Sequence, residues 1–130
     1  LTEDNEVILV KQFRYPYQEV LFEIPAGKLD KGEEDPLHCG MRELEEEAGV
    51  TAGDYLSLGQ MYPSPGYCDE VIYMFLARQL QPSQQHLDED EFLEVYKMPF
   101  AQVLKMVTEG EIGDAKTQIA VLKTAVLLEI

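Results

Sequence analysis

A short helix with well-defined ends is the feature that most constrains the fold of this sequence. Asp35 followed by Pro36 is typical of a helix start, because an Asp side chain accepts from free N–H groups and Pro loses nothing at the first helical position. Gly49 is typical of a helix end, since glycine adopts the left-handed conformation that often follows the last turn. The residues between predict a helix of about three to four turns.

Three glutamates fall on one face of this predicted helix. Glu43 and Glu47 are four residues apart, and Glu46 comes three residues after Glu43. Like charges at this spacing destabilise an isolated helix, so something must offset their repulsion. A solvated acidic face is the ordinary explanation of such a run. A bound divalent cation is the alternative, because Mg²⁺ and Mn²⁺ prefer carboxylate oxygens as ligands.

Acidic residues dominate the charge of the chain, and its length suits a single domain over residues 1–130. Asp and Glu number 25 against 10 Lys and Arg, which gives a net charge of −15. This field repels nucleic acid and anionic membranes, so we expect neither as a partner. No segment resembles a signal peptide or a membrane helix, and Cys39 and Cys68 lack metal-ligand spacing. Together these features predict a reduced, cytoplasmic protein.

Short apolar runs separated by turn residues predict five strands. They cover residues 6–14, 20–24, 55–62, 71–77 and 92–98. The polar stretch 79–90 is predicted as a loop, and residues 2–5 as a turn, which implies that a strand precedes the sequence.

Two more helices are predicted near the end of the chain. Pro99 opens a helix that reaches Val107, and Asp114 starts the last one. The spacing of its large apolar residues predicts that the last helix faces the core with Ile119, Leu122, Val126 and Leu127. Strands and helices interleave without a regular βαβ rhythm, which predicts an α/β fold with a mixed sheet and helices on its faces.

Residues 27–50, GKLDKGEEDPLHCGMRELEEEAGV, resemble the Nudix box. The box has a glycine, a glutamate after five residues, and seven more residues before R-E-(aliphatic)-x-E-E-x-G-(aliphatic); residues 42–50 match every position of this second half. The loop before them carries one extra residue. Counting forward from Gly27 therefore makes Glu33 the early glutamate, whereas counting back from Arg42 makes it Glu34. The resemblance implies the Nudix fold, an α/β/α sandwich.

Further segments are similar to the ADP-ribose pyrophosphatases of this family. Pro65 falls fifteen residues past Val50, where that subfamily carries a marker proline in a similar Ser-Pro-Gly motif. Residues 11–14, 22–28, 87–92 and 114–117 also resemble the subfamily. The resemblance implies hydrolysis of ADP-ribose to AMP and ribose 5-phosphate, with Mg²⁺ or Mn²⁺ as cofactor, by a homodimer. The N-terminal strands of the family are missing from this sequence, which would leave the first strand as an open edge of the kind that proteins usually cover.

Carried over residue by residue, the resemblance implies a metal site, a substrate site and a base. The implied metal ligands are the Ala26 carbonyl, Glu43, Glu46 and Glu47. The implied substrate contacts are Arg14, Glu23, Pro65 and Gly66. The implied catalytic carboxylates are Glu91, which fits the alignment best, then Glu89, with Glu46 assisting. Arg42 has two interpretations, either orienting one of the glutamates or relieving their repulsion.

Ordinary structural roles compete with these assignments, and two rival functions stay open. An acidic loop is usually solvated, Arg14 could be an exposed strand-end arginine, and residues 63–66 could simply connect two strands. Tyr67 lies near a tyrosine position of diadenosine-type hydrolases, so a nucleotide-sugar or dinucleoside polyphosphate is a rival substrate. A non-catalytic ADP-ribose sensor is the other rival. Such domains usually lose box glutamates, and this chain retains all of them.

Overall fold

The computed structural model describes residues 1–29, 34–89 and 93–130, in which strands and helices form an α/β fold. The α/β class predicted from the sequence is confirmed. In chain order the elements are β1 (Glu6–Arg14), β2 (Glu19–Glu23), α1 (Pro36–Ala48), β3 (Val50–Met61), β4 (Ile72–Pro82), β5 (Glu94–Pro99), α2 (Phe100–Thr108) and α3 (Ala115–Leu128). Within those ranges, no helix has the length and apolar composition needed to cross a bilayer.

The strands form two antiparallel sheets. One has three strands in the order β2-β1-β5, and the other is the β3-β4 pair. We expected one mixed sheet; the pairings between described strands are antiparallel and divide between the two sheets. Our prediction that the first strand is an open edge is wrong, because β1 lies between β2 and β5, and β5 pairs with it from Glu6 to Lys11.

The strands β3 and β4 are longer than their sequence patterns predict. The pairing runs from Val50 opposite Pro82 to Met61 opposite Ile72, so residues 79–82 belong to a strand rather than to the predicted loop. These residues read Gln-Leu-Gln-Pro and are half-buried or exposed, so they form no apolar run and the strand was missed. Backbone pairing with the start of β3 holds them in place.

In the described part of the chain two apolar clusters form the core, and α3 contributes to both. The first is built from β1, α2, the connection between α2 and α3, and α3; it contains Leu9, Phe100, Val103, Val107, Ile112 and Val121. The second lies against the β3-β4 pair and contains Leu58, Met74, Leu76 and Ala120. Because Ala120 and Val121 are adjacent on α3, this helix packs against both sheets at once.

The face of α3 that meets the core is not the one predicted from its large apolar residues. Leu122, Val126 and Leu127 are 41%, 77% and 55% exposed. The buried positions are instead Thr117, Ala120, Val121 and Thr124, while Ile119 packs at the edge of the second cluster. Both sets have helical spacing, so periodicity alone could not choose between them. The smaller side chains allow α3 to approach both sheets closely.

Candidate functional site

The ends of α1 are those predicted from the sequence. The Asp35 side chain accepts a hydrogen bond from the backbone N–H of His38 at 3.3 Å, and Pro36 occupies the first turn. At the other end Gly49 has φ 68°, and its N–H donates to the Glu45 carbonyl at 2.9 Å. These caps set the first and last turns of the helix, and helical geometry places the three box glutamates on one side.

Arg42 joins the carboxylates on this side of α1. Its Nε and Nη2 donate to the two oxygens of Glu34, each at 2.9 Å. Its Nη1 donates to Glu43 at 2.9 Å and to Glu46 at 3.2 Å. One guanidinium therefore orients these carboxylates and also offsets their mutual repulsion, so both interpretations of Arg42 describe the same contacts. Glu33, the other candidate for the early box glutamate, lies outside the described residues.

The loop that follows β2 packs closely against α1. The Ala26 N–H donates to the Glu47 carboxylate at 3.0 Å. A Cβ added to Gly27 would lie 2.0 Å from Cδ of Glu43, so only glycine leaves room for that carboxylate. The thiol of Cys39 donates to the Lys28 carbonyl at 3.5 Å, and burial is the main cause that raises the pKa of this thiol to about 11. The backbone at Ala26 and Gly27 therefore lies against the carboxylates of Glu47 and Glu43.

The oxygen atoms that α1 and the loop after β2 bring together are suitable ligands for a hard divalent cation. The carboxylates of Glu43, Glu46 and Glu47 and the backbone of Ala26 offer oxygen atoms, which Mg²⁺ prefers. The space that Gly27 leaves is occupied by the Glu43 carboxylate, one of the predicted ligands. Among residues 1–29, 34–89 and 93–130, no three acidic, His or Cys side chains already form a ligand cluster, and Arg42 binds oxygens of Glu43 and Glu46.

The segment that follows β4 is anchored on the C-terminal end of α1. It occupies carbonyls that a helix end leaves without intrahelical partners. The contacts are Ser83 N to Gly49 O at 2.7 Å, Gln85 Nε2 to Glu47 O at 2.6 Å and His86 N to Glu46 O at 2.8 Å. These contacts were not predicted, because residues 83–86 carry no periodic or motif signal.

This anchoring determines where the acidic loop begins. Glu89 is exposed and lies three residues beyond His86, so its Cα is within about 11 Å of that anchor. Glu91, the preferred candidate for the base, lies outside the described residues. The described candidate, Glu89, therefore lies close in sequence to a point fixed at the C-terminal end of α1.

Glu23 is the most buried carboxylate near the site, with 2% of its surface exposed. Nε and Nη2 of Arg14 donate to its two oxygens at 2.7 Å each, and Nζ of Lys116 donates to Oε1 at 2.7 Å. Burial acts to raise the pKa of Glu23, but the hydrogen bonds from Arg14 and Lys116 outweigh it and hold that pKa below its usual value. Both oxygens are thus engaged within the protein, whereas the resemblance implied a contact with the substrate.

Arg14 is held by this pair but stays partly open to solvent, with 42% of its side chain exposed. Its pKa is raised mainly by the hydrogen bond to Glu23, against the effect of burial, with smaller contributions from the charges of Asp114 and Glu47. Because the charge of Glu47 helps to raise the pKa of Arg14, the two side chains are close enough to interact electrostatically. Arg14 therefore lies near α1, the helix of the Nudix box (the box helix).

The predicted substrate residues Pro65 and Gly66 lie in a tight turn between β3 and β4. The N–H groups of Tyr67 and Cys68 both donate to the Ser64 carbonyl, at 3.2 and 3.0 Å. The turn is exposed, and no atom lies within 4 Å of a Cβ built on Gly66 among the described residues. A pocket of about 240 Å³ adjoins it, lined by Tyr62, Pro65, Cys68, Asp69 and Glu70.

Comparison with solved structures supports this fold. The chain superposes on a protein described as an ADP compounds hydrolase with a TM-score of 0.84, covering 97% of this chain and 68% of the other. The two sequences are 24% identical, so this likeness shows the fold alone.

Comparison with curated proteins finds relatives named for different functions. The chain is 46% identical over 123 residues to the ADP-ribose pyrophosphatase of Bacillus subtilis (strain 168) and 40% identical to the methanol dehydrogenase activator of Bacillus methanolicus. Each match covers 93% of this chain and 66% of the relative, so the chain spans just under two thirds of their length. The GDP-mannose pyrophosphatase of Klebsiella pneumoniae is 38% identical over 123 residues, covering 87% of this chain and 61% of the relative.

The family itself is identified by a match along most of the sequence. The model of the NUDIX domain covers residues 1–117, which include the box helix, both sheets and the start of α3. The resemblance seen in residues 27–50 is thereby confirmed, and the chain belongs to the NUDIX domain family.

Proposed function

We propose that this protein hydrolyses the pyrophosphate of ADP-ribose, giving AMP and ribose 5-phosphate, with Mg²⁺ as cofactor. The observation that carries this proposal is the convergence of Glu43, Glu46 and Glu47 with the Ala26–Gly27 backbone within a box pattern. The choice of ADP-ribose is supported by 46% identity to an ADP-ribose pyrophosphatase and by the Ser-Pro-Gly turn.

The three glutamates and the Ala26 carbonyl would hold the cation. A divalent cation bound there supplies neutralisation of the pyrophosphate charge and lowers the pKa of a bound water. The N–H of Ala26 orients the Glu47 carboxylate, and a hydrogen bond to a carboxylate favours its charged form. Arg42 orients Glu43 and Glu46 in the same way. Local positive charge is needed here because a net charge of −15 repels a phosphorylated substrate.

Glu91 is the proposed general base, with Glu89 as the second candidate. A carboxylate in this role accepts the proton of the attacking water while the water is aimed at phosphorus. The proposal is supported by the anchoring of residues 83–86, the segment that precedes the acidic residues in the sequence, on the C-terminal end of α1.

Arg14, Pro65 and Gly66 are the proposed substrate contacts. The Glu23 carboxylate accepts hydrogen bonds from Nε and Nη2 of Arg14. The remaining donor nitrogen, Nη1, is the one assigned to a phosphate oxygen of the substrate. Glu23 itself acts by holding Arg14 rather than by direct contact with the ribose, because its surface is 2% exposed. The exposed turn at Pro65 and Gly66 would border the nucleoside part of the substrate.

A cytoplasmic location and a homodimer complete the proposal. The location follows from the composition and from two cysteines without metal-ligand spacing, and the homodimer follows from the resemblance to ADP-ribose pyrophosphatases. The outer strands β2 and β5 of the three-stranded sheet carry backbone groups that a second copy could pair with.

A nucleotide-sugar is the second candidate substrate. It is favoured by 38% identity to a GDP-mannose pyrophosphatase, whose substrate also carries a nucleoside diphosphate linked to a sugar. The two candidates share the same bond cleavage and differ in the base and sugar that the enzyme must contact.

A substrate panel tests the proposal directly. ADP-ribose, GDP-mannose and diadenosine polyphosphate are incubated with the protein and Mg²⁺, and the products are identified by chromatography. AMP forming fastest from ADP-ribose supports the proposal. Preference for GDP-mannose retains the bond cleavage and overturns the substrate. Absence of turnover, with ADP-ribose still bound in calorimetry, indicates a sensor instead of an enzyme.

A further inference from the structure

We propose that Thr117 is a positioning residue that holds residues 24–26 against Glu47 and thereby orients a metal-holding carboxylate. The inference rests on the proposed function in assigning Ala26 and Glu47 to the cation site. Residues 114–117 share similarity with the ADP-ribose pyrophosphatases but received no role from the box chemistry. Their contacts supply one.

The hydroxyl of Thr117 makes two hydrogen bonds with opposite roles. It donates to Oδ2 of Asp114 at 2.6 Å and accepts from the N–H of Ile24 at 3.0 Å, across 93 residues of sequence. A hydroxyl has one proton, so donation to Asp114 leaves a lone pair directed to Ile24. Thr117 is fully buried, and no water can replace the hydroxyl without a rearrangement of the core.

Only Pro25 separates this contact from the cation site. Its ring restricts φ, and the residue before a proline is confined to extended conformations. Because the backbone between them is stiff, the position of Ile24 restricts the position of Ala26. The N–H of Ala26 donates to the Glu47 carboxylate at 3.0 Å.

Lys116 and Asp114, the neighbours of Thr117, also help to hold the end of β2. Lys116 donates to Glu23 at 2.7 Å and to Asp114 at 3.0 Å, so residues 23 and 24 are both bound by residues 116 and 117. Asp114 accepts from Lys116 and from the backbone and side chain of Thr117 through one oxygen, and it caps α3. The start of α3 thus fixes the end of β2, where the loop that leads towards α1 begins. We call residues 24–29 of this loop the box loop.

Amide exchange and metal binding test this role separately from catalysis. Thr117→Val keeps the shape but removes both hydrogen bonds, Thr117→Ser retains the hydroxyl, and Thr124→Val makes the same change at a buried threonine seven residues further along α3. In metal-free protein we expect Thr117→Val to accelerate hydrogen exchange at the Ile24 and Ala26 amides by about tenfold, the effect of one net hydrogen bond. Exchange in Thr117→Ser and Thr124→Val should match the wild type.

The second measurement is Mn²⁺ affinity, followed by electron paramagnetic resonance without substrate. Thr117→Val should weaken Mn²⁺ binding about tenfold, as expected for a group that orients a ligand, and Thr117→Ser should restore it. Exchange accelerated at Ile24 alone, with Ala26 and Mn²⁺ affinity unchanged, would overturn the positioning role. An equal loss of Mn²⁺ affinity in Thr124→Val would overturn it too, because the effect would then belong to core packing.

A second variant decides the matter if Thr117→Val does not fold. Pro25→Gly keeps the bond between Thr117 and Ile24 but removes the stiff connection to Ala26. Faster exchange at Ala26 with unchanged exchange at Ile24 supports the proposal, and unchanged exchange at both overturns it. If the wild type binds Mn²⁺ but turns over no substrate, the proposed function fails while these measurements still decide the role of Thr117.

Discussion

The carboxylate of Glu47 accepts a hydrogen bond from the N–H of Ala26 at 3.0 Å, across 21 residues of sequence. Glu47 is 6% exposed, so this contact joins α1 to the box loop inside the protein rather than at its surface. The same side chain is a proposed cation ligand. Its role in the fold and its role in chemistry can be separated by substitutions that keep an oxygen acceptor.

Glu47→Gln should leave the fold intact and remove most of the activity. The amide oxygen of Gln can still accept from Ala26, so we expect the free energy of unfolding to change by about 1 kcal/mol or less. Activity should fall about 100-fold or more, since even groups that only orient a metal ligand contribute 10- to 100-fold. The control is Glu45→Gln on the same helix, where the side chain accepts from Ser83 and is absent from the proposed site. Equal losses in both variants would contradict the site.

Gly27→Ala should impair cation binding without unfolding the protein. The added Cβ would lie 2.0 Å from Cδ of Glu43, and the end of that flexible side chain can turn away at small cost. We expect weaker Mn²⁺ binding and lower activity, with a melting temperature close to that of the wild type. Gly40→Ala is the matched control: its Cβ would meet Phe75 at an ordinary contact distance of 3.6 Å, and it should stabilise α1 by about 0.5–1 kcal/mol. Unchanged Mn²⁺ affinity in Gly27→Ala would contradict the placement of Glu43.

Glu91→Gln should lower kcat while Mn²⁺ binding persists. Loss of a general base typically costs about 10²- to 10⁴-fold in rate. Glu89→Gln is measured in parallel, because both residues follow the anchor at His86. A large kcat effect in Glu89→Gln alone would move the assignment of the base by two residues. A loss of Mn²⁺ affinity in Glu91→Gln would place Glu91 among the ligands.

Glu23 should make the stability of the protein sensitive to acid. Its pKa in the folded protein is held below the usual value of 4.5, so the folded state binds its proton less readily than the unfolded state does. Its contribution is therefore complete above about pH 4.5 and is lost as the pH falls below that value, through the folded pKa. Melting temperatures recorded from pH 7 to pH 3 measure this effect.

Glu23→Gln is the comparison for the acid effect. At pH 7 it should cost about 2 kcal/mol, less than a fully buried pair because Arg14 is partly exposed. Below pH 4.5 the melting temperature of the variant should fall less steeply with pH than that of the wild type. Parallel declines in the two proteins would show that other carboxylates cause the acid sensitivity.

Cys39 should resist alkylation, and Cys68 should react first. Burial is the main cause that raises the pKa of Cys39 to about 11, so about one thousandth of it is thiolate at pH 8. Cys68 lies in the turn after β3 and is partly exposed. Iodoacetamide labelling followed by peptide mass spectrometry gives the two rates. Faster labelling of Cys39 in the folded protein would contradict its contacts with the box loop.

The ends of α1 and the acidic face between them were predictable because their physics is local. Asp35 caps N–H groups within one turn, and Gly49 adopts its conformation from its own lack of a side chain. The spacing of Glu43 and Glu47 follows from the helical repeat. The same local reasoning placed α2, which was predicted to follow Pro99 and reach Val107 and which runs from Phe100 to Thr108.

The face of α3 and the partners of β1 were not predictable in this way. Large apolar residues at helical spacing suggested Leu122 and Val126 as core residues, yet close packing between two sheets selects the smaller Thr117 and Ala120. The pairing of β1 with β5 joins segments about 90 residues apart. No pattern within either segment specifies such a partner.

The sequence by itself therefore determined the box helix, the nature of its carboxylates and the family. Each depends on residue type and on spacing within a few turns of chain. Only the tertiary structure decided that Thr117 contacts Ile24, that Ala26 contacts Glu47 and that Glu23 is held by Arg14 and Lys116. Apart from the Arg14–Glu23 pair, which spans two neighbouring strands, these contacts join segments that are 21 to 93 residues apart, and no local pattern specifies such partners.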